Sequence, residues 1–187
     1  MRIAIFGGSF DPLHLAHVAI VQNALTKLDI DKLIVVPTYL NPFKSSFYLD
    51  PQTRFELLKK VFIKFEKVEV SNYEINQLAP SYSINTVNYL KNLYNPTKIY
   101  LIIGEDNIKN LEKWYKFNEL KELVEFVVAS RAGFETKKAN KFKCLDINID
   151  ISSTQLREKI NLDYIPREIK DDILNLKKKG KSFWTLD

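Results

Sequence analysis

Two histidines, His14 and His17, stand three residues apart just behind a glycine pair, Gly7 and Gly8, and they are the only histidines in the chain. At a helix start that spacing puts both imidazoles on one face, near the end where free backbone N–H groups and the helix dipole attract anions. Arg2 to Phe6 is mostly branched or aromatic and reads as a strand buried on both faces, the usual first strand of a parallel sheet. Glycine directly after such a strand lets a ligand or another backbone approach closely, and Pro12 limits the turn before the helix. The grouping suggests a phosphate site. Beside it stands the plainer reading of a strand, turn and helix such as any doubly wound sheet contains.

Two standard alternatives are excluded by spelling. GGSFDPLH is neither G-x-G-x-x-G nor a loop ending in G-K-[ST]. A metal held by the two histidines would need further ligands, and the chain has no third His and only one Cys, Cys144, so no metal site is expected there. A second grouping begins at Ser152, Ser153, Thr154 and Gln155, with the S-x-x-Q spacing of a capping box. Alone it marks a helix start. With Arg157 it offers hydroxyls, backbone donors and a permanent cation together, which suits a polyphosphate.

The chemistry follows from what is missing as well as what is present. There is no G-x-S-x-G elbow and no Cys–His pairing of the expected kind, so no covalent nucleophile is expected. Imidazoles, Lys, Arg and backbone donors match displacement at phosphorus, where catalysis is mainly positioning and charge stabilisation. An attacking phosphate, with a second pKa of about 6, is already largely ionised at neutral pH and needs no general base.

The elements that must position these groups alternate along the chain. A first helix is expected at Leu15 to Leu28 and a second strand at Leu33 to Pro37. The loop TYLNPFKSSFYL follows, carrying Lys44 and several aromatics. Pro51 opens a helix through Phe65 with apolar Phe55, Leu58, Phe62 and Phe65. A strand is expected at Lys67 to Tyr73, a helix from about Ser83 to Tyr94, and a strand at Thr97 to Ile103. The latter ends in Gly104, Glu105 and Asp106 at the ligand edge of the sheet. One or two helical turns are expected within Leu111 to Leu123, a strand at Glu125 to Ser130, a surface loop over 131–141, a strand CLDINI, and a final amphipathic helix headed by Pro166. The alternation predicts an α/β fold, a Rossmann-like doubly wound and mainly parallel sheet with flanking helices, in a single domain over residues 1–187.

Composition narrows the class. With 45% hydrophobic and 27% charged residues the chain reads as an ordinary globular protein, without an apolar run long enough for a signal segment or a membrane span. A single Cys permits no internal disulfide and fits a reducing cytoplasm. A net charge of +5 favours anionic small molecules over nucleic acid. The one dense basic run, Lys177 to Lys181, reads as a solvated helix terminus.

GGSFDPLHLAH resembles the G-x-F-x-P-x-H-x-G-H signature of the H-x-G-H nucleotidyltransferase superfamily, and ISSTQLR resembles its second signature, I-S-S-T-x-x-R. VPTYLNPFK, PSYSINTVNYL, LIIGEDNIKNLEKW and SRAGF are similar in order and spacing to the bacterial nicotinate-nucleotide adenylyltransferase family, so the resemblance covers nearly the whole chain. It implies transfer of AMP from ATP to nicotinate mononucleotide in NAD biosynthesis, with Mg²⁺ carried by the ATP phosphates. It places Gly7, Gly8, Ser9, Phe10, His14, His17, Gly104, Asp106, Ser153, Thr154 and Arg157 at ATP, with His14, His17 and Arg157 catalytic. Lys44, Thr86, Asp106, Trp114 and Tyr115 would receive the mononucleotide. An indole face suits a pyridine ring, although Trp114 reads equally as a core aromatic from its own residues.

Two positions depart from the family pattern. Ala16 replaces the usual Gly between the histidines and Phe43 the usual His before Lys44. Activity is expected to survive the first, since one methyl is added while helix propensity improves by about 1 kcal/mol. The second removes a donor and leaves more charge neutralisation to Lys44. Two rivals stand: a sister transferase acting on nicotinamide mononucleotide, phosphopantetheine or another phosphorylated acceptor, and a nucleotide-binding regulatory protein without turnover. A homo-oligomer is left open.

Overall fold

The structure, a computed structural model, describes residues 1–131 and 141–178. Six strands form one parallel sheet in the order β3-β2-β1-β4-β5-β6: β1 (Arg2–Gly8), β2 (Lys32–Pro37), β3 (Val68–Val70), β4 (Lys98–Gly104), β5 (Glu125–Arg131) and β6 (Lys143–Ile147). This is the doubly wound order, with the chain reversing direction between β1 and β4. Seven α-helices are described: α1 (Leu15–Lys27), α2 (Pro51–Phe62), α3 (Tyr73–Asn76), α4 (Ser83–Tyr94), α5 (Phe117–Leu123), α6 (Ser153–Glu158) and α7 (Lys170–Lys178).

The centre of the sheet is buried on both faces because the middles of β1, β2 and β4 are apolar at consecutive positions, not at alternate ones. Ala4, Phe6, Leu33, Val35, Tyr100, Ile102 and Val127 face one core, shared with α1, α2 and α6. Ile3, Ile5, Ile34, Val36, Ile99, Leu101 and Val128 face the other, shared with α4 and α5. The expected α/β architecture is thus present.

Several boundaries differ from expectation. The third strand stops at Val70, not Tyr73: Ser71 N–H still bonds Val35 O, at 2.9 Å, but the Ser71 hydroxyl accepts from Tyr73 N–H and turns the chain into α3. The helix opened by Pro51 ends at Phe62 and its buried face is Arg54, Leu57, Leu58, Val61 and Phe62, with Phe55 only half-buried. Beyond β4 the helical turns begin at once. A 3₁₀ helix runs from Glu105 to Lys113, six residues before the expected start, and α5 follows after Trp114 to Lys116. Its buried residues, Ile108 and Leu111, stand three apart, the repeat of a 3₁₀ helix, and Trp114 continues the series. Pro166 caps a short 3₁₀ turn, Arg167–Ile169, ahead of α7. Residues 132–140, which hold most of the expected loop and the SRAGF stretch beyond Arg131, and the basic run beyond Lys178 fall outside what is described of the chain, while Lys177 and Lys178 close α7.

Candidate active site

A cleft of about 1850 Å³ opens at the carboxyl ends of β1 and β4, the switch point of the sheet, where ligands of such folds bind. Its volume exceeds the roughly 300–1,000 Å³ of an ordinary small-molecule pocket and suits two nucleotides side by side. Gly7, Gly8, Ser9, His14, His17, Lys44, Gly104, Asp106, Trp114, Tyr115 and Ser153 all lie on its walls. Of the other residues expected at the substrates, Phe10, Thr86, Thr154 and Arg157 are not on those walls.

The glycines are there for reasons that differ. A methyl at Gly7 would touch only the Val36 carbonyl, at 3.9 Å, so Gly7 keeps open space at the cleft wall. A methyl at Gly8 would press on the Phe10 ring at 3.1 Å, and at Gly104 it would collide with the Asp106 carboxylate. Phe10 itself is buried, in the left-handed backbone region at φ 48°, and its ring packs edge-on to Phe6 and His17. It supports the imidazoles from below.

His14 caps α1 and is only 4% exposed. The two imidazoles stack with centroids 3.7 Å apart, and His14 N–H donates to His17 Nδ1 at 3.3 Å. Because Nδ1 of His17 accepts, a neutral ring carries its hydrogen on Nε2, which is then a donor. Ala16, between them, is buried at the cleft wall.

The segment after β1, with a cis Asp11–Pro12 bond, is a junction. Both Asp11 oxygens accept backbone N–H groups, from Tyr48 and Leu49, each at 2.8 Å, tying down the loop that carries Lys44. Asp11 O accepts from Arg157 Nη1 at 2.8 Å and Pro12 O from the Ser153 hydroxyl at 3.0 Å. The two signature segments are therefore joined directly. Ser152 caps α6 through the reciprocal Ser152–Gln155 box that the spacing predicts. Arg157 also reaches the exposed Thr154 hydroxyl at 3.0 Å and lies over the Tyr48 ring.

Arg54 is the residue that sequence reasoning missed here. It is 1% exposed, and its guanidinium donates to Leu49 O, Ser9 O, Thr38 O and Tyr39 O at 2.6–3.0 Å, stitching the segment after β1 to both ends of the loop between β2 and α2. Its position three and four residues before Leu57 and Leu58 was the available signal, since that places a cation on the apolar face of α2. Lys44 Nζ lies 3.4 Å from the Ser9 hydroxyl. Burial pushes the Lys44 ammonium down, helped by the Arg157 and Arg54 cations and opposed by Asp11. Phe43, 80% exposed, is held at its backbone by Asn41 Oδ1.

The other end of the cleft is aromatic. Trp114 is partly buried against the second core and also on the cleft wall, so both readings of its ring apply. Tyr115 packs on Tyr82 at 4.7 Å. Thr86 is only 3% exposed, and its hydroxyl lies 2.5 Å from Oε1 of Glu74, a cleft-wall residue that is itself 5% exposed. Burial raises the Glu74 carboxyl to about 7, partly offset by the Thr86 hydrogen bond. Glu74 was also missed; its only sequence signal was an acid four residues past a short strand.

A model of the cytidylyltransferase-like proteins matches residues 5–159. A curated protein of Aliarcobacter butzleri, named a probable nicotinate-nucleotide adenylyltransferase, is 66% identical over 97% of this chain and 100% of its own. One of Nitratiruptor sp. with the same name is 48% identical over 93% of this chain and 97% of its own. Among solved structures, the Plasmodium falciparum nicotinic acid mononucleotide adenylyltransferase complexed with NaAD superposes with a TM-score of 0.76 at 21% identity, covering 97% of this chain and 98% of that one. That likeness is one of fold.

Proposed function

Because the chain belongs to the nicotinate-nucleotide adenylyltransferases, within the cytidylyltransferase-like family, we infer that it transfers AMP from ATP to nicotinate mononucleotide. The products are nicotinic acid adenine dinucleotide and pyrophosphate. The observation that carries this reading is the 66% identity over nearly the whole of both chains. The cleft's contents supply its chemistry.

In that reading the mononucleotide phosphate attacks the α-phosphorus of ATP, the new P–O bond forms, and the bond to the β-phosphate oxygen breaks to release pyrophosphate. His17 offers Nε2–H to phosphate oxygens, with His14 stacked on it as partner and cap of α1. Gly7, Gly8 and Ser9 admit the nucleotide beside β1, with Phe10 as their support, and Gly104 and Asp106 meet it beside β4. Ser153, Thr154 and Arg157 take the departing β and γ end. Donors set for the charge that develops on these oxygens lower the barrier without reorganising. Lys44 approaches the mononucleotide phosphate; Trp114, Tyr115 and Thr86 form the ring end, with Asp106 against the sugars.

Mg²⁺ would arrive on the ATP phosphates and spread their charge during transfer. The oxygen ligands on the cleft wall, the Ser9 and Ser153 hydroxyls and the Asp106 carboxylate, fit a metal that keeps mostly phosphate and water ligands, while Lys44 would neutralise phosphate charge and not hold the metal. No group of three acidic, His or Cys ligands occurs among the described residues. No described helix is long and apolar enough to cross a membrane.

Pyrophosphate release with ATP and each of nicotinate mononucleotide, nicotinamide mononucleotide and phosphopantetheine tests the assignment. The expected result is turnover with the nicotinate acceptor far above the others. Faster release with either rival acceptor would overturn it, and ATP binding without release from any acceptor would favour the regulatory reading.

A further inference from the structure

Glu74 is an acid that the transfer reaction does not use, yet it is buried in the cleft wall. Its Oε1 is held by Thr86 of α4, and its Oε2 is buried without a hydrogen-bond partner among the described residues. Ser81, Tyr82 and Ser83, which lead into α4, line the same stretch of cleft. The N-terminus of a 12-residue helix therefore opens beside this carboxyl, and its partial positive charge attracts whichever anion lies there. A pyridine ring seated against Trp114 and Tyr115 would bring its substituent to that end.

We propose that Glu74 is a positioning residue that sets acid-against-amide specificity: as the neutral acid on Thr86 it leaves the positive end of α4 to the acceptor's ring carboxylate, and as a carboxylate it competes with and repels that group. The proposal rests on nicotinate mononucleotide being the acceptor. A carboxylate acceptor then binds with uptake of a proton wherever free Glu74 is ionised, whereas an amide acceptor does not. The surroundings favour this. Tyr73 of α3, which stacks on Tyr89 of α4, feels the Glu74 charge, and the charged groups at the start of β2 and in β3, Lys32 and Glu69, are paired with each other. β2, which packs beside α3, is apolar from Leu33 to Pro37. No cation pairs with Glu74 among the described residues. Burial then holds the free carboxyl near 7, so both states are accessible around neutrality.

The test measures KM for nicotinate mononucleotide and KM or inhibition constant for nicotinamide mononucleotide from about pH 6 to about pH 8.5, in the native chain and in Glu74→Gln. Both ligands carry the same phosphate and pyridinium, so their difference isolates the ring substituent. The native chain is expected to lose about 5–30-fold in KM for the acid across that range, the upper figure being the ceiling for a free carboxyl that titrates at about 7, with kcat nearly unchanged and the amide profile lacking the loss. Glu74→Gln is expected to flatten the acid profile. Calorimetry of the native chain in two buffers of different ionisation enthalpy should also show proton uptake with the acid and none with the amide, which needs no variant to fold. Parallel acid and amide profiles, a Gln variant that keeps the loss, or equal proton uptake would each overturn the proposal. If nicotinate mononucleotide gives no product at any pH, the acceptor assignment has failed and the role of Glu74 fails with it.

Discussion

At one end of the cleft Lys44, Arg54 and Arg157 gather near Asp11, with Asp50 beside Arg54; at the other, a single carboxyl, Glu74, sits buried with the Thr86 hydroxyl as its partner. In the proposed function the first end would answer a highly charged ligand with a surplus of cations, two of them, Arg54 and Arg157, held by backbone carbonyls. The second answers a ring with one mobile charge by keeping its own charge adjustable. Fixed cations give rate through positioning, and an adjustable acid gives discrimination. The two ends should therefore fail differently when altered.

The largest difference is expected at Arg54. Arg54→Ala leaves four loop carbonyls without their donor and removes one of the cations near Asp11, and should cost about 3–5 kcal/mol in denaturant unfolding. Arg54→Lys should recover little, because one ammonium cannot span the four acceptors that the guanidinium fork reaches. A loss under about 1 kcal/mol would mean that the phosphate end is not built around this residue.

The same contrast governs how much could be read from the sequence. The phosphate end is written in short local patterns: the first strand, His14 and His17 three apart, and the Ser152–Gln155 capping box appear as expected, whereas Gly7 and Gly8 complete β1, paired with Val36 and Pro37, and do not form the turn after it. The helix from Ser83 to Tyr94 was legible for the same reason. What escaped depends on distant contacts. Arg54 is a surface residue type whose burial is decided by carbonyls of Ser9, 45 positions away, and of Thr38 and Tyr39. Asp11 takes its role from N–H groups nearly forty positions on. Glu74 lies in a four-residue helix that a continuous strand reading would erase, and the Glu105–Lys113 helix follows a three-residue period that a search at 3.6 overlooks.

The second prediction concerns rate. If His17 stabilises charge at the phosphates, His17→Ala should lower kcat by roughly 10²–10³-fold while the protein stays folded, because its loss removes a donor that acts mainly in the transition state. An unchanged kcat would assign His17 to packing against Phe10 and His14 alone.

At the acceptor end the comparable effect appears in stability against pH. The Glu74 carboxyl is raised from 4.5 to about 7 in the folded chain, so the folded state holds its proton more tightly than the unfolded one. The stability this contributes is complete below about pH 4.5 and is lost as the pH rises through about 7, a change on the order of 3 kcal/mol. Glu74→Gln has no charge to gain. Its advantage over the native chain should therefore grow between pH 5 and 8 in thermal or denaturant unfolding, and an equal pH dependence in both proteins would contradict a buried neutral acid.

The smallest effect is expected at Trp114, and it separates the two ends most cleanly. Trp114 closes the 3₁₀ series of Ile108 and Leu111 and packs on the second core, so its removal disturbs structure as well as the cleft. Substitution by Leu keeps most of that packing while removing the ring face. Stacking contributes about 0.5–1.5 kcal/mol beyond buried area, so Trp114→Leu should raise KM for the mononucleotide by about 2–13-fold. The KM for ATP should hardly move if, as proposed, ATP's phosphates engage the other end. Equal rises for both substrates would make Trp114 a scaffold of the whole cleft, and the division into a fixed cationic end and an aromatic, adjustable end would no longer describe how the substrates are held.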